Sequence, residues 1–163
     1  MTKYKLAIRA AAMCAVAFVL VGPSAMAEVT RSSSPAATGV EKGHRLVLQV
    51  NTNDPGTMGL ALNNATNVEQ YYRERGERVE IEIVTFGPGL NMLRDDTSPV
   101  KDRIKAITEK SPSISFMACG NTMDNMRKAE NKAIPLVPQA TLVRSGVVRV
   151  MELQEQGWAY VRP

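Results

Sequence analysis

Short runs of aliphatic and β-branched residues alternate along this chain with segments whose apolar residues recur every three or four positions. The run at residues 45–50 has the length and near-continuous apolar character of a buried parallel strand. Behind it, the helical spacing is carried by Met58, Leu62, Ala65, Val68 and Tyr72. This spacing predicts a helix over residues 57–75 that stops at Gly76. Repetition of this strand and helix pattern predicts an α/β fold with a mainly parallel sheet and helices on both faces.

The middle of the chain continues the alternation. Residues 79–86 alternate β-branched residues with glutamates, so we expect a second strand with one face or one end in water, nearer a sheet edge. A short helical turn is expected at residues 90–93, and Ser98 followed by proline predicts the start of the next helix. A third strand at residues 113–118 and a third helix at residues 121–130 follow.

The C-terminal part admits two interpretations. Residues 141–150 are rich in β-branched residues and fit a hairpin around Ser145 and Gly146. They also fit a short strand followed by a helix over residues 147–156 that ends at Gly157. We favour the strand and helix, with a final short strand at residues 160–162.

The first 27 residues have the pattern of a secretory signal peptide. Three basic residues precede an apolar run at residues 10–21, and a helix break with a small-residue tripeptide predicts cleavage before Glu28. The run is short for a bilayer span of about 20 residues, so an uncleaved anchor is the less favoured alternative. We therefore expect a periplasmic or secreted protein without membrane contact, with a flexible linker at residues 28–43 and one domain at residues 44–163.

The predicted leader also carries much of the excess positive charge. Three of the 20 Lys and Arg residues lie in it, which leaves 17 against 16 acidic residues and changes the net charge from +4 to +1. No basic cluster with interleaved aromatic residues remains, so we do not expect nucleic acid as a partner. The 136 residues after the leader are enough for one compact domain.

Cleavage removes Cys14 and leaves Cys119 as the only cysteine. A single cysteine cannot form an internal disulfide, so it is buried and inert, paired with another chain, or reactive. It stands where the third predicted strand gives way to a helix, and unpaired N–H groups at a helix N-terminus stabilise a thiolate. The loops at residues 51–56 and 87–89 should share this rim of the sheet with Cys119.

The segment at residues 116–122, Phe-Met-Ala-Cys-Gly-Asn-Thr, resembles the cysteine segment of the DsrE/DsrF-like family. Residues 48–51, 86–89 and 152–158 resemble exported members of that family, so the resemblance covers residues 44–163. It implies a flavodoxin-like three-layer α/β sandwich and assembly into dimers or hexamers. It also implies a cysteine, Cys119 in this chain, that carries sulfur as a persulfide.

We therefore expect a sulfur carrier in which Cys119 is the catalytic nucleophile and passes sulfur to another protein or to a small thiol. The alternative is a non-enzymatic oligomeric binding or structural protein in which Cys119 is a buried, inert thiol. The residues that we expect to support Cys119 lie on the same rim and are Gly120, Asn121, Thr122, Asn51, Asn53, Gly87 and Gly89. Arg94 is added as a cation placed to hold an anionic thiolate or sulfur substrate.

No metal or cofactor is expected. Met117, Met123 and Met126 flank Cys119 and would suit Cu(I), but the last two are spaced like core methionines on one helix face. His44 is the single histidine, which disfavours a zinc site. The loop at residues 51–57 resembles an anion cradle, but Asp54 puts negative charge where a phosphate of a flavin or nucleotide would lie.

Overall fold

Five parallel strands form one sheet in the computed structural model, which describes residues 43–163. They are β1 (His44–Val50), β2 (Val79–Thr85), β3 (Ile114–Cys119), β4 (Ala140–Val143) and β5 (Ala159–Val161). The order across the sheet is β4-β3-β2-β1-β5. The predicted parallel α/β fold is confirmed, and its layers are those of a flavodoxin-like sandwich. The expected leader at residues 1–27 and the linker, apart from Gly43, lie outside the described residues.

Four α-helices and one 3₁₀ helix connect the strands. They are α1 (Pro55–Glu74), the 3₁₀ helix (Gly87–Leu93), α2 (Lys101–Lys110), α3 (Gly120–Glu130) and α4 (Gly146–Glu155). The first four strands step across the sheet in one direction, and the chain then returns to place β5 beside β1. Because parallel crossovers are right-handed, this reversal puts α4 on the face opposite α1, α2 and α3.

Each face of the sheet has its own core. The larger core joins alternate residues of β1, β2 and β3 to the inner sides of α1 and α2 and includes Leu48, Ile83, Phe116, Leu62 and Ile104. The smaller core lies under α4 and comprises Val47, Val84, Val150 and Leu153, with Phe86, Met117 and Trp158 packed against it. The sheet is therefore covered by three helices on one face and by one helix on the other.

Local signals explain how the first helix starts and stops. The Asp54 side chain accepts hydrogen bonds from the backbone N–H and the hydroxyl of Thr57, at 2.6 and 2.7 Å, and so caps α1. Gly76, in the left-handed region at φ 69°, follows the end of the helix. The loop before α1 is thus ordered by turn and capping chemistry.

Two expectations for the middle of the chain are wrong. The strand expected near a sheet edge, β2, is the central strand of the five. Its Glu80 is exposed at one end, while Glu82 is buried and paired with Arg149. The predicted serine cap also fails, because α2 begins at Lys101 after Val100. Ser98 shapes the preceding turn instead, since its hydroxyl donates to the Met92 carbonyl at 2.6 Å.

At the C-terminal end, the strand and helix alternative is confirmed. β4 is followed by α4 and then by β5, so no hairpin forms around Ser145 and Gly146. Within residues 43–163, no helix is both long and apolar enough to cross a membrane.

Candidate functional site

Cys119 is the last residue of β3 and caps the N-terminus of α3. Its thiol is free, and the residue is only 4% exposed. Side chains alternate across a strand, so Cys119 points to the same face as Met117, which belongs to the smaller core under α4. The predicted strand and helix junction is therefore present, with the thiol on the α4 face.

Two helix N-termini meet at the Cys119 sulfur. The first turn of α3 begins beside it, although the Cys119 side chain accepts no capping hydrogen bond from that turn and the Asn121 N–H donates to the Arg144 carbonyl at 3.2 Å. The N–H of Gly146, at the start of α4, is a donor to the sulfur. The second helix arrives because β4 pairs with β3 in a register that sets Val143 beside Cys119. Both helix dipoles thus favour negative charge on the sulfur.

Thr122 adds a side-chain hydrogen bond to the same atom. Its hydroxyl oxygen accepts from the Gly87 N–H at 2.9 Å, and its hydroxyl proton is donated to Cys119. Because the Gly87 amide occupies the oxygen, the hydroxyl is oriented with its proton toward the sulfur. Asn121, Thr122 and Gly87, all predicted from sequence to support the cysteine, are brought to it in this way.

These contacts set the acidity of the thiol. Burial of Cys119 raises its pKa, while the Thr122 hydroxyl and the N–H groups of Gly146, Thr122 and Asn121 lower it. These polar groups together outweigh burial, so the pKa of Cys119 lies below the ordinary value of a cysteine thiol. The arrangement therefore favours the thiolate, the nucleophilic form of cysteine.

Close packing surrounds the thiol at two glycines. A Cβ on Gly146 would lie 3.0 Å from Phe86 Cβ and 3.3 Å from Cys119 Cβ. A Cβ on Gly120 would lie 3.2 Å from the Val143 carbonyl oxygen. These glycines let the starts of α3 and α4 approach β3 and β4 closely enough to reach the sulfur.

The remaining rim residues order the neighbouring loop and do not reach the thiol. A Cβ on Gly89 would lie 2.2 Å from the Val50 carbonyl oxygen and 2.8 Å from Asn51 Cα, so the 3₁₀ helix rests directly on the end of β1. The Asn53 side chain accepts from Asn91 Nδ2 at 2.7 Å and ties its loop to the same helix. The three loops share one rim as predicted, but Asn51, Asn53 and Gly89 serve its framework.

Arg94 is not available to the thiol. Its buried guanidinium, 6% exposed, forms bidentate hydrogen bonds with Asp96 and with Glu130. Glu130 ends α3, and at 1.5 Å per residue that end is about 16 Å from Cys119. The expectation that Arg94 holds an anionic substrate is therefore wrong, because two carboxylates already neutralise it.

The methionines near Cys119 do not converge on it. Met123 and Met126 pack against the larger core, whereas Met117 packs under α4 on the opposite face of the sheet. Across residues 43–163, no three His, Cys, Asp or Glu side chains are grouped to hold a metal ion.

Two features near Cys119 were not predicted from sequence. The first is the Gly146 amide, which belongs to a segment considered as a hairpin turn. The second is a cavity of about 340 Å³ beside the first turn of α3. Its lining is Gly120, Asn121, Met123, Asp124, Leu142, Val143 and Arg144. A strand order placing β4 next to β3 would have indicated both.

Comparison with known proteins shows similarity to a solved structure. No family model matches the chain, and no curated protein matches it. Among solved structures, it is similar to the protein of unknown function MTH1491 from Methanobacterium thermoautotrophicum, with a TM-score of 0.62 and 30% sequence identity. The match covers 74% of this chain and 99% of MTH1491.

Proposed function

We propose that Cys119 carries sulfane sulfur as a persulfide. The chain belongs to the same family as MTH1491, a protein of unknown function. The observation that carries this proposal is one free thiol at the meeting point of two helix N-termini, with the Thr122 hydroxyl and nearby main-chain N–H groups lowering its pKa. The resemblance of residues 116–122 to the cysteine segment of the DsrE/DsrF-like family supports it. The proposal includes membership of that family.

The chemistry is a thiol exchange that needs no oxidant. The Cys119 thiolate attacks the outer sulfur of a donor persulfide, R–S–SH, and a bond forms between this sulfur and Cys119 Sγ. The S–S bond of the donor breaks, and the donor leaves as a thiolate with the bonding electron pair. The product is a Cys119 persulfide that keeps the proton on its outer sulfur.

Release repeats the same step in the other direction. The thiolate of an acceptor protein or small thiol attacks the outer sulfur of the Cys119 persulfide, and Cys119 departs as a thiolate. Leaving groups of lower pKa depart faster. The lowered pKa of Cys119 therefore raises its thiolate fraction for sulfur uptake and makes it a better leaving group on release.

Burial of Cys119 favours a second candidate function. With 4% of the residue exposed, the thiol is shielded in the way expected of an inert structural cysteine. In that case the protein is a binding or structural module, and the hydrogen bonds only satisfy a buried polar atom. The two functions predict opposite reactivities for the folded protein.

Intact mass of the folded protein after exposure to a persulfide donor tests the proposal. We expect a gain of one sulfur atom that is reversed by reductant, retained in Cys14→Ser and absent from Cys119→Ser. No gain, together with a thiol that resists alkylation until the protein unfolds, would contradict the carrier function and support the structural one.

Export and self-association complete the proposed function. The signal-peptide pattern supports a periplasmic or secreted protein, and N-terminal sequencing of the protein recovered from cells should give Glu28 as the first residue. Exposed apolar side chains near the site support a homo-oligomer and belong to Leu142, Val147, Val148 and Met151. Its partners would then be other copies of this chain and the sulfur donor and acceptor.

A further inference from the structure

A carboxylate lies in the middle of the central strand. Glu82 is 6% exposed and pairs in register with Val47 of β1 on one side and Ser115 of β3 on the other. It shares a face with Val84, so it lies on the α4 side of the sheet, next to the smaller core. An apolar side chain could fill this buried position, whereas burying a carboxylate carries a desolvation cost.

Arg149 supplies the partner of this carboxylate. Its Nε donates to Glu82 Oε2 at 2.9 Å, and its Nη2 donates to Oε1. A bidentate pair fixes both the distance and the orientation of the two side chains. Buried ion pairs are often no more stabilising than apolar residues of similar size, so stability alone does not account for this one.

The pair anchors the helix turn that reaches the thiol. Arg149 lies in the first turn of α4, where its backbone N–H donates to the Ser145 carbonyl at 3.0 Å. Gly146, the first residue of the same helix, donates its N–H to Cys119. Phe86 limits movement of this turn on its other side, since a Cβ on Gly146 would lie 3.0 Å from Phe86.

Direct contact between the pair and the thiol does not explain the arrangement. Ser115, the register partner of Glu82, is four residues before Cys119 on β3, a separation of about 13 Å along the strand. The two opposite charges also largely cancel at that distance. Any influence on Cys119 must therefore pass through the position of α4.

We propose that the Arg149–Glu82 ion pair is a positioning device that holds the first turn of α4 on the sheet and keeps the Gly146 N–H aimed at Cys119 Sγ. Arg149 and Glu82 are positioning residues, since neither touches the sulfur. The inference rests on the proposed function in one respect, namely that the thiolate form of Cys119 is the one used.

The test is the pH profile of Cys119 alkylation in the full chain carrying Cys14→Ser. Glu82→Gln and Arg149→Lys each remove the bidentate pair, and Glu155→Gln removes an exposed charge from the same helix as a matched control. We expect the midpoint of the profile to move to higher pH in the first two, with alkylation near neutral pH slowed about tenfold, the size of a lost hydrogen bond to a charged group. The control should follow the parent.

A double variant, Glu82→Leu with Arg149→Met, is included in case the single variants unfold. It replaces the ion pair with apolar side chains of similar size. A folded double variant with the parent profile would overturn the inference, as would folded single variants with unshifted profiles. Because alkylation does not depend on persulfide chemistry, a shifted profile in a protein that accepts no sulfur would keep the positioning role and reject only the carrier function.

Discussion

Thr122 serves the candidate site twice through one hydroxyl group. It accepts from the Gly87 amide and donates to Cys119, so it connects the loop after β2 to the end of β3. When a hydroxyl oxygen accepts one hydrogen bond, its own proton points toward a second partner on the other side. The side chain therefore contributes orientation as well as a hydrogen bond.

Thr122→Val keeps the shape of the side chain and removes the hydroxyl. We expect a higher Cys119 pKa, slower alkylation near neutral pH, and a loss of about 1 kcal/mol in the free energy of unfolding because the Gly87 amide loses its acceptor. Stopped-flow alkylation across a pH series measures the first two effects, and denaturant unfolding measures the third. Thr122→Ser, which restores the hydroxyl, should behave almost like the parent.

Linkage between Cys119 ionisation and folding gives a pH dependence. The pKa of Cys119 is lower in the folded protein than in the unfolded chain, where it is about 8.5. The resulting stabilisation is fully present above the unfolded pKa and is lost as pH falls through the folded pKa. The free energy of unfolding relative to Cys119→Ala should therefore rise with pH from the folded pKa up to the unfolded pKa of about 8.5. A difference that falls over this range would show that the folded pKa is raised.

The first turn of α4 is the element on which the site depends most. It brings one amide to the sulfur, it is tied to the centre of the sheet through Arg149 and Glu82, and it packs on Phe86 through Gly146. Any change that displaces this turn should alter the thiol without touching it.

Gly146→Ala should produce such a displacement. The added methyl group would meet Phe86 at 3.0 Å, so we expect a loss of about 1–3 kcal/mol in stability together with a higher pKa for Cys119. Thermal unfolding and the alkylation profile are the measurements. Gly59→Ala is the matched control, because its Cβ would lie 3.6 Å from a flexible Arg103 side chain within α1. That change should stabilise the protein slightly and leave the thiol unaltered.

Strand order decides how much of this site can be predicted from sequence. Asn121 and Thr122 follow Cys119 closely in the chain, and Gly87 lies just after the neighbouring strand β2, so local patterns identified them. Gly146 was missed because its approach depends on β4 lying beside β3.

Long-range ion pairs account for the two larger errors. The glutamates of β2 suggested an edge strand, but Glu82 is neutralised by Arg149, 67 residues later in the chain. Arg94 is predicted from sequence to reach the rim, but its guanidinium forms an ion pair with Glu130, 36 residues away. Pairs this distant leave no periodic pattern in the sequence from which they can be predicted.

Over the whole molecule, coverage of the sheet is uneven. Three helices cover one face and α4 alone covers the other, and α4 carries three exposed apolar side chains, Val147, Val148 and Met151. Exposed apolar groups that cluster on one side of a domain are typical of association surfaces. This is the side on which we expect copies of the chain to meet.

Val147→Lys combined with Met151→Lys should reduce the assembly to smaller species, because two charges would be buried at the contact. Light scattering after size exclusion gives the mass of each species. Tyr71→Lys, which changes an exposed side chain on α1, should leave the mass as it is in the parent. A parent protein that is monomeric at all concentrations would contradict self-association.

Three of the four groups that lower the pKa of Cys119 are main-chain N–H groups, of Asn121, Thr122 and Gly146. Main-chain donors are supplied by every amino acid except proline, so most substitutions at these positions leave the donor in place. The electrostatic environment of the sulfur therefore depends mainly on the fold and changes little when the side chains at these positions are replaced. Distant relatives that keep the cysteine and the two helix starts can retain a similar thiol even where few of the surrounding side chains are the same.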